Sequence, residues 1–358
     1  MRKPFVFVIL KIISISAFAI IIIVLGAELA LKVHWKYKAE RAKDYSQNNI
    51  FTAKPAHEVY DQSLWEIPWL KYKPNASLKM ALPNGDLYRV DINSHGFRTK
   101  EFLVEKKKGS IRIISIGGST TVQGMTNDQT YPAILETELS KKLPHVDVEV
   151  LNFGISGARS WHWVERLDTL ISYQPDVVIQ YNAINDIMWS YLEEYSKSHP
   201  NQKKFNKSLL YQKLFLINPK DFDNYFYYTL KQFFIMSTEL KKRGIYYVAG
   251  SFPAPDYKLT EPSFHAFLDV NIGETWGVGL NLKYYDTYFR LIGRYNELFS
   301  FFVKKHNINH VMTHNITDPD LFTDICHMNQ NGIQKLADAF LEPVIETIHK
   351  LTPPNRLN

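Results

Sequence analysis

The sequence is poor in several features that would point to particular kinds of protein. It has one cysteine, Cys326, which excludes an intramolecular disulfide and a cysteine-based zinc site. It contains no His-Glu-x-x-His cluster, so neither a metal nor another cofactor is expected. It also shows no internal repeat and no low-complexity tract.

Net charge is small outside the first segment of the chain. The formal net charge is +6, and residues 1–44 hold eight of the 42 Lys and Arg residues but only three of the 36 Asp and Glu residues. The remainder therefore carries a net charge of +1. A nearly neutral folded part argues against nucleic acid as a partner.

One long apolar run is present, from Phe5 to Leu31. It exceeds the roughly 20 residues that a membrane-spanning helix needs. A cleaved signal peptide is the main alternative, but the run is longer than the usual apolar region of about 7–15 residues, and no Ala-x-Ala site follows it. We therefore predict that residues 1–44 form an uncleaved single-pass membrane anchor with a basic flank.

The orientation of this anchor stays open at the level of sequence. Two basic residues precede the span and five follow it, which by charge alone favours a cytoplasmic location for the rest of the chain. Large domains, however, translocate largely regardless of charge. We expect an extracytoplasmic domain, because the chemistry inferred below fits a substrate of the cell envelope.

Strands alternate with helices from Ile111 onward, a pattern typical of a parallel sheet covered on both faces. We predict a three-layer α/β/α fold with about five parallel strands over residues 111–351. The predicted strands are Ile111–Ile116, Val146–Leu151, Val177–Tyr181, Ile245–Ala249 and Ile308–Met312. The predicted helices are Tyr131–Leu143, Trp161–Tyr173, Asn224–Arg243 and Asn331–Leu351.

The rest of the chain surrounds this domain. Residues 45–110 are predicted to be an N-terminal extension packed on the domain, with a β-hairpin formed by the alternating residues 87–93 and a turn at 93–96. Two segments, near residues 189–222 and 251–283, exceed the usual two to six or so residues of a βα connection. We interpret them as insertions, which either shape a substrate site or only add packing.

Polar and glycine-rich segments follow the first three predicted strands, and one more precedes the last helix. They are Gly118-Ser119, Asn152–Gly157, Asn182–Asp186 and Asp324–His327. Each alone is explained by a turn or a helix cap. Together they place a hydroxyl, an amide and an imidazole at the edge of the sheet where open α/β proteins bind ligands.

This combination resembles the SGNH (GDSL-type) hydrolase family over roughly Ile111 to Leu351. The resemblance implies that Ser119 is a nucleophile, His327 its general base, and Asp324 the group that orients the imidazole. It also implies an oxyanion hole made of the backbone N–H groups of Ser119 and Gly157 and the side-chain amide of Asn185. Asp186 is expected to tether its loop.

Two positions depart from the family pattern. Gly118 replaces the acidic residue that usually precedes the nucleophile, and Ala183 stands where a glycine is common. Cys326, beside His327, has no counterpart in the pattern, and we interpret it as a small buried residue.

The resemblance implies an enzyme that acts on an acyl ester through a Ser119 acyl-enzyme. Water would make it an esterase or deacetylase, and a sugar hydroxyl would make it an O-acyltransferase. An anchored domain fits an acylated glycan of the envelope, or else a lipid ester as in a lysophospholipase. A non-catalytic binding module is a further alternative. Phosphate binding by the Gly117–Thr120 turn is disfavoured because the lysine of a Walker loop is missing.

Overall fold

The computed structural model describes residues 3–46, 72–81, 86–187, 208–210, 218–274 and 285–351. Within these residues the strands are β1 (Ser77–Ala81), β2 (Leu87–Asp91), β3 (Ile111–Gly117), β4 (Val148–Asn152), β5 (Val177–Tyr181), β6 (Tyr246–Gly250) and β7 (His310–Val311). The α-helices are α1 (Lys3–Ser46), α2 (Ser119–Val122), α3 (Tyr131–Lys142), α4 (Ser160–Glu165), α5 (Leu167–Ser172), α6 (Asp223–Lys242), α7 (Pro262–Glu274), α8 (Tyr285–Lys305) and α9 (Gln330–Leu351).

Strands β3 to β7 form one parallel sheet in the order β4-β3-β5-β6-β7. Every residue of β3 and β5 is buried, as expected of strands covered on both faces. Helix α3 packs with α9 on one face, while α4, α6 and α8 pack together on the other. The predicted three-layer α/β/α fold with five parallel strands is confirmed.

The register of the central strands brings the predicted site segments to one edge. Ser115 of β3 lies opposite Asn152 of β4, and Gly117 of β3 lies opposite Tyr181 of β5. Because the strands are parallel, the segments that follow them all leave the sheet at its carboxyl edge.

Two predicted elements differ in detail from the structure. The helix expected over residues 161–173 is two short helices, α4 and α5, because the backbone of Arg166 leaves helical geometry at ψ 12°. The last strand has two residues rather than five. The N–H of Ile308 bonds to the carbonyl of Val303 at the end of α8, so this residue closes the helix instead of starting the strand.

The hairpin of the N-terminal extension pairs β2 with the strand that precedes it in sequence, whereas the prediction paired it with residues that follow the turn at 93–96. β2 pairs antiparallel with β1, which precedes it, and the turn at residues 93–96 leads away from this small sheet. Beyond that turn, the buried guanidinium of Arg98 donates to the carbonyl of Gly124 at 2.9 Å and to the side chain of Asn127 at 3.1 Å. The extension is thereby fastened to the segment that follows α2.

Helix α1 has two parts with different surroundings. Within the described residues, the stretch Phe7–Lys43 is the one helix long and apolar enough to span a membrane, and its side chains up to residue 26 are exposed. Further along, the carboxylate of Glu28 accepts hydrogen bonds from the N–H of Leu210 at 2.9 Å and from Ser208 at 2.8 Å. Lys38 forms an ion pair with the buried Asp269 of α7, against which α1 packs.

The two predicted insertions are described only in part. Most of residues 189–222 and all of residues 275–284 lie outside the described residues. The described portion of the second insertion contains α7, the helix that contacts α1. The domain boundaries proposed from the sequence remain predictions.

Candidate active site

Ser119 occupies the turn between the central strand β3 and the short helix α2. It is the first residue of that helix, directly after Gly118, and its side chain is 8% exposed. Its hydroxyl lies 2.9 Å from Nε2 of His327, which is 208 residues away in sequence. The fold thus brings together a hydroxyl and an imidazole that the sequence keeps far apart.

His327 belongs to the loop between β7 and α9. Asp324, three residues earlier in the same loop, forms hydrogen bonds with it. The imidazole Nδ1 lies 2.8 Å from Oδ2 of Asp324. The other carboxylate oxygen accepts the backbone N–H of His327 at 2.7 Å and that of Cys326 at 2.9 Å. The carboxylate therefore fixes both the ring and the backbone that carries it.

Asp324 is charged despite its burial. Burial alone raises the pKa of its carboxyl, but the charge of His327 and the hydrogen bonds from that ring and from two backbone N–H groups bring the pKa below its ordinary value. An ionised carboxylate on Nδ1 directs the Nδ1 proton toward itself, so that Nε2 is the ring nitrogen that can accept a proton from Ser119.

The loop that carries His327 also contacts the residue that follows helix α2, the helix that begins with Ser119. The side-chain oxygen of Gln123, the residue after α2, accepts the N–H of Met328 at 2.8 Å. Phe322 and Met328 form an antiparallel bridge that closes the base of the loop. Gln123 was not among the predicted site residues, since a buried glutamine after a helix carries no local pattern of its own.

Gly157 and Asn185 lie in the segments that follow β4 and β5. Gly157 has φ +79°, a conformation that favours glycine. The side-chain N–H of Asn185 donates to the carbonyl of Ala158 at 3.0 Å, so these two segments are directly linked. Tyr72 supports the first of them from the N-terminal extension, since its hydroxyl accepts the N–H of Ser156 at 3.1 Å.

Asp186 is the second buried carboxylate of the site. It accepts the backbone N–H of Ser160 at 3.1 Å and the hydroxyl of Ser160 at 2.6 Å. Burial raises its pKa to about 6, although the hydrogen bonds from Ser160 act in the opposite direction. It contacts the start of α4, which agrees with a tethering role for this residue.

Cys326 is fully buried, with its sulfur 3.5 Å from Nδ1 of His327. The donor atoms of Asp324, Cys326 and His327 lie within 4.8 Å of one another, close enough to be considered as metal ligands. Burial and the neighbouring Asp324 raise the pKa of the thiol well above its usual value. Because Nδ1 of His327 bonds to Asp324 and its Nε2 contacts Ser119, both ring nitrogens are already engaged, and this donor set does not suit a metal ion.

A model of the GDSL-like lipase/acylhydrolase family matches residues 115–335 of the chain. The chain belongs to this family. It is accordingly an enzyme of the GDSL/SGNH type that acts on ester bonds. The match begins within β3, includes all four site segments, and ends in α9.

Comparison with curated proteins finds no match. Among solved structures, TesA is 15% identical, covering 67% of this chain and 99% of its own, with a TM-score of 0.40. An acetyl xylan esterase from Geobacillus stearothermophilus is 17% identical, covering 66% and 95%, with a TM-score of 0.42. A further acetyl xylan esterase, AlAXEase, is 17% identical, covering 65% and 100%, with a TM-score of 0.41. With TM-scores below 0.5, these likenesses carry no argument about substrate.

Proposed function

We propose that the protein is a membrane-anchored serine esterase in which Ser119 forms the acyl-enzyme, His327 is the general base and Asp324 orients the base. The observation that supports this most is the 2.9 Å contact between the hydroxyl of Ser119 and Nε2 of His327, with Asp324 on the opposite ring nitrogen. A serine hydroxyl is a weak nucleophile until an adjacent base removes its proton.

The reaction proceeds in two steps. Oγ of Ser119 attacks the acyl carbonyl while Nε2 of His327 takes the hydroxyl proton, and the imidazolium then returns that proton to the departing alcohol. Water, deprotonated by the same imidazole, next attacks the acyl-enzyme and releases the carboxylic acid and Ser119. The negative charge of Asp324 stabilises the imidazolium in both steps.

The oxyanion of each tetrahedral intermediate binds to the N–H groups of Ser119 and Gly157 and to the amide of Asn185. The carboxamide nitrogen of Asn185 carries two hydrogens, so it has a donor besides the one that bonds to Ala158. One such donor contributes about 3–4 kcal/mol to transition-state stabilisation.

The substrate we propose is an acylated glycan of the cell envelope, and the domain lies on the extracytoplasmic side. This rests on helix α1, which is long and apolar enough to span a membrane and in that role would hold an ester-cleaving domain at the membrane surface. If a sugar hydroxyl replaces water as the acceptor, the same acyl-enzyme carries out O-acyl transfer. A lipid ester is the alternative substrate.

The test is turnover by the full-length protein in detergent with p-nitrophenyl acetate, acetylated glycans, and short- and long-chain esters. We expect hydrolysis of acetyl esters and its loss in Ser119→Ala, with the melting temperature of the variant unchanged. Faster hydrolysis of long-chain lipid esters would contradict the glycan substrate and support the lipid ester. Turnover by Ser119→Ala at the rate of the unmodified protein would contradict the catalytic role of Ser119. Absence of turnover by the unmodified protein on every ester would favour a binding module.

A further inference from the structure

The carbonyl of Ala158 accepts hydrogen bonds from two buried side-chain amides. Asn185 donates to it at 3.0 Å, and Asn182 donates to it at 3.2 Å. Both asparagines are 3% exposed and Ala158 is 4% exposed, so water has little access to this group. A carbonyl oxygen has two lone pairs and can accept both donors at once.

Hydrogen bonds link the side chain of Asn182 to β5, the strand that it follows, and through it to the neighbouring strand β6. Its side-chain oxygen lies 3.4 Å from the amide nitrogen of Gln180 on β5, a long hydrogen bond. The side-chain oxygen of Gln180 accepts the hydroxyl of Tyr247 on β6 at 2.7 Å. A row of buried polar groups therefore runs from β6 to the segment that carries Gly157, and such rows rigidify the parts they connect.

The side-chain amide of Asn185 also lies close to Gly118. A Cβ at Gly118 would lie 2.7 Å from the amide nitrogen of Asn185 and 3.4 Å from the carbonyl oxygen of Ala158. The carboxamide therefore lies close against the backbone that precedes Ser119. Glycine at position 118, which has no Cβ, permits this approach.

These contacts bear on how Asn185 can act. One hydrogen of its amide bonds to Ala158 and the other is available to an oxyanion, but any rotation of the amide toward the oxyanion weakens the bond to Ala158. A buried carbonyl left without any donor is unfavourable, because it has lost its hydrogen bonds to water as well. Asn182 donates to the same oxygen and can keep it satisfied while Asn185 moves.

On the basis of the function proposed above, we propose that Asn182 is a positioning residue for the oxyanion hole, which holds the Ala158 carbonyl so that Asn185 is available to the transition state. The role is indirect, since Asn182 acts through Asn185. Its effect belongs to kcat rather than KM, because the contact matters when negative charge develops on the substrate.

A double-mutant cycle on the full-length protein tests this with p-nitrophenyl acetate. Asn185→Ala should lower kcat by about 10²–10³-fold. Asn182→Ala should lower kcat roughly 5- to 30-fold with little change in KM, the range expected for the loss of one buried hydrogen bond. In the Asn185→Ala background the same change should lower kcat less than about twofold, since coupled residues are not additive.

Asn182→Asp provides a second variant that keeps the side-chain shape and removes the donor, so its kcat should fall at least as far as that of Asn182→Ala. Asn296→Ala is the matched control. Asn296 is a buried asparagine whose side chain bonds to both backbone groups of Phe252, at 3.0 and 2.7 Å. Its loss should lower the melting temperature and leave kcat unchanged.

Two results would overturn the inference. One is an equal loss of kcat from Asn182→Ala in both backgrounds, and the other is no loss in either. Failure of the underlying function looks different, because Asn185→Ala and Ser119→Ala would then leave turnover intact.

Discussion

Two serine–histidine pairs lie at the carboxyl edge of the same sheet, and only one of them has the surroundings of a catalytic pair. Ser119 contacts Nε2 of His327 at 2.9 Å. Ser251, which directly follows β6, lies 2.7 Å from Nδ1 of His314, which follows β7. Distance alone does not distinguish the two pairs.

Their surroundings differ in three ways. Ser251 is fully buried, whereas Ser119 is 8% exposed at the start of a helix. The oxygen of Ser251 already accepts the backbone N–H of His314 at 3.0 Å. Within the part of the chain that the structure describes, no carboxylate bonds to the ring of His314, whereas Asp324 bonds to that of His327.

The second pair even borders a cavity of about 480 Å³, which His314 lines together with Phe289 and Glu297. Burial lowers the pKa of His314, which favours the neutral form of its ring. Its contact with Ser251 ties the turn after β7 to the end of β6. We infer that access to the hydroxyl and a charged partner on the far ring nitrogen, more than the contact itself, separate a catalytic pair from a structural one.

The largest expected difference comes from removing each imidazole in turn. His327→Ala should lower the kcat for p-nitrophenyl acetate by about 10⁴–10⁶-fold, since loss of a general base disables the nucleophile. His314→Ala should change kcat less than about twofold. Steady-state kinetics of the two variants, with melting curves to establish folding, measure this. Comparable losses of kcat in both variants would contradict the distinction between the two serine–histidine pairs.

A smaller effect is expected from the carboxylate that only the first pair has. Asp324→Asn should lower kcat by about 10²–10⁴-fold, less than His327→Ala, because the general base remains while its orientation and charge partner are impaired. The full kcat–pH profile of this variant, compared with that of His327→Ala, provides the measurement. Equal losses for the two variants would contradict the ranking.

The smallest effect concerns stability and the second buried carboxylate near Ser119. The pKa of Asp186 is about 6 in the folded protein, against 3.8 ordinarily. Between these values the folded state binds more protons than the unfolded state, so stability falls as pH rises from about 4 to 6. The fall amounts to about 3 kcal/mol in total and is complete about one pH unit above the folded-state pKa.

Asp186→Asn should remove this fall, because an amide does not titrate and can still accept a hydrogen bond from Ser160. Denaturant unfolding of both proteins from pH 4 to 8 tests it, with Asp168→Asn on α5 as a control at an exposed carboxylate. A stability profile that keeps the same slope in Asp186→Asn would show that another group is responsible.

Much of the site could be anticipated because its residues follow strands. Buried apolar runs such as Ile111–Gly117 identify parallel strands, and parallel strands end at a common edge, so Ser119 and Asn185 could be assigned to one region. The approach of His327 was expected only from the family resemblance, since no local pattern fixes a loop 208 residues away.

Contacts between distant segments were not predictable in the same way. The shared carbonyl of Ala158 and the bond from Met328 to Gln123 depend on how three loops pack, which hydrophobic periodicity does not encode. The hairpin was assigned to the wrong side of β2 for a related reason. Alternation identifies a strand, but it does not identify the strand that pairs with it.

The most direct measurement of the central claim is labelling with a serine-reactive fluorophosphonate. The full-length protein, Ser119→Ala and Ser251→Ala are treated under the same conditions, and the modified residue is located by mass spectrometry. We expect label on Ser119 in the unmodified protein and in Ser251→Ala, and none in Ser119→Ala. Label that persists in Ser119→Ala, or that is found on Ser251, would contradict it.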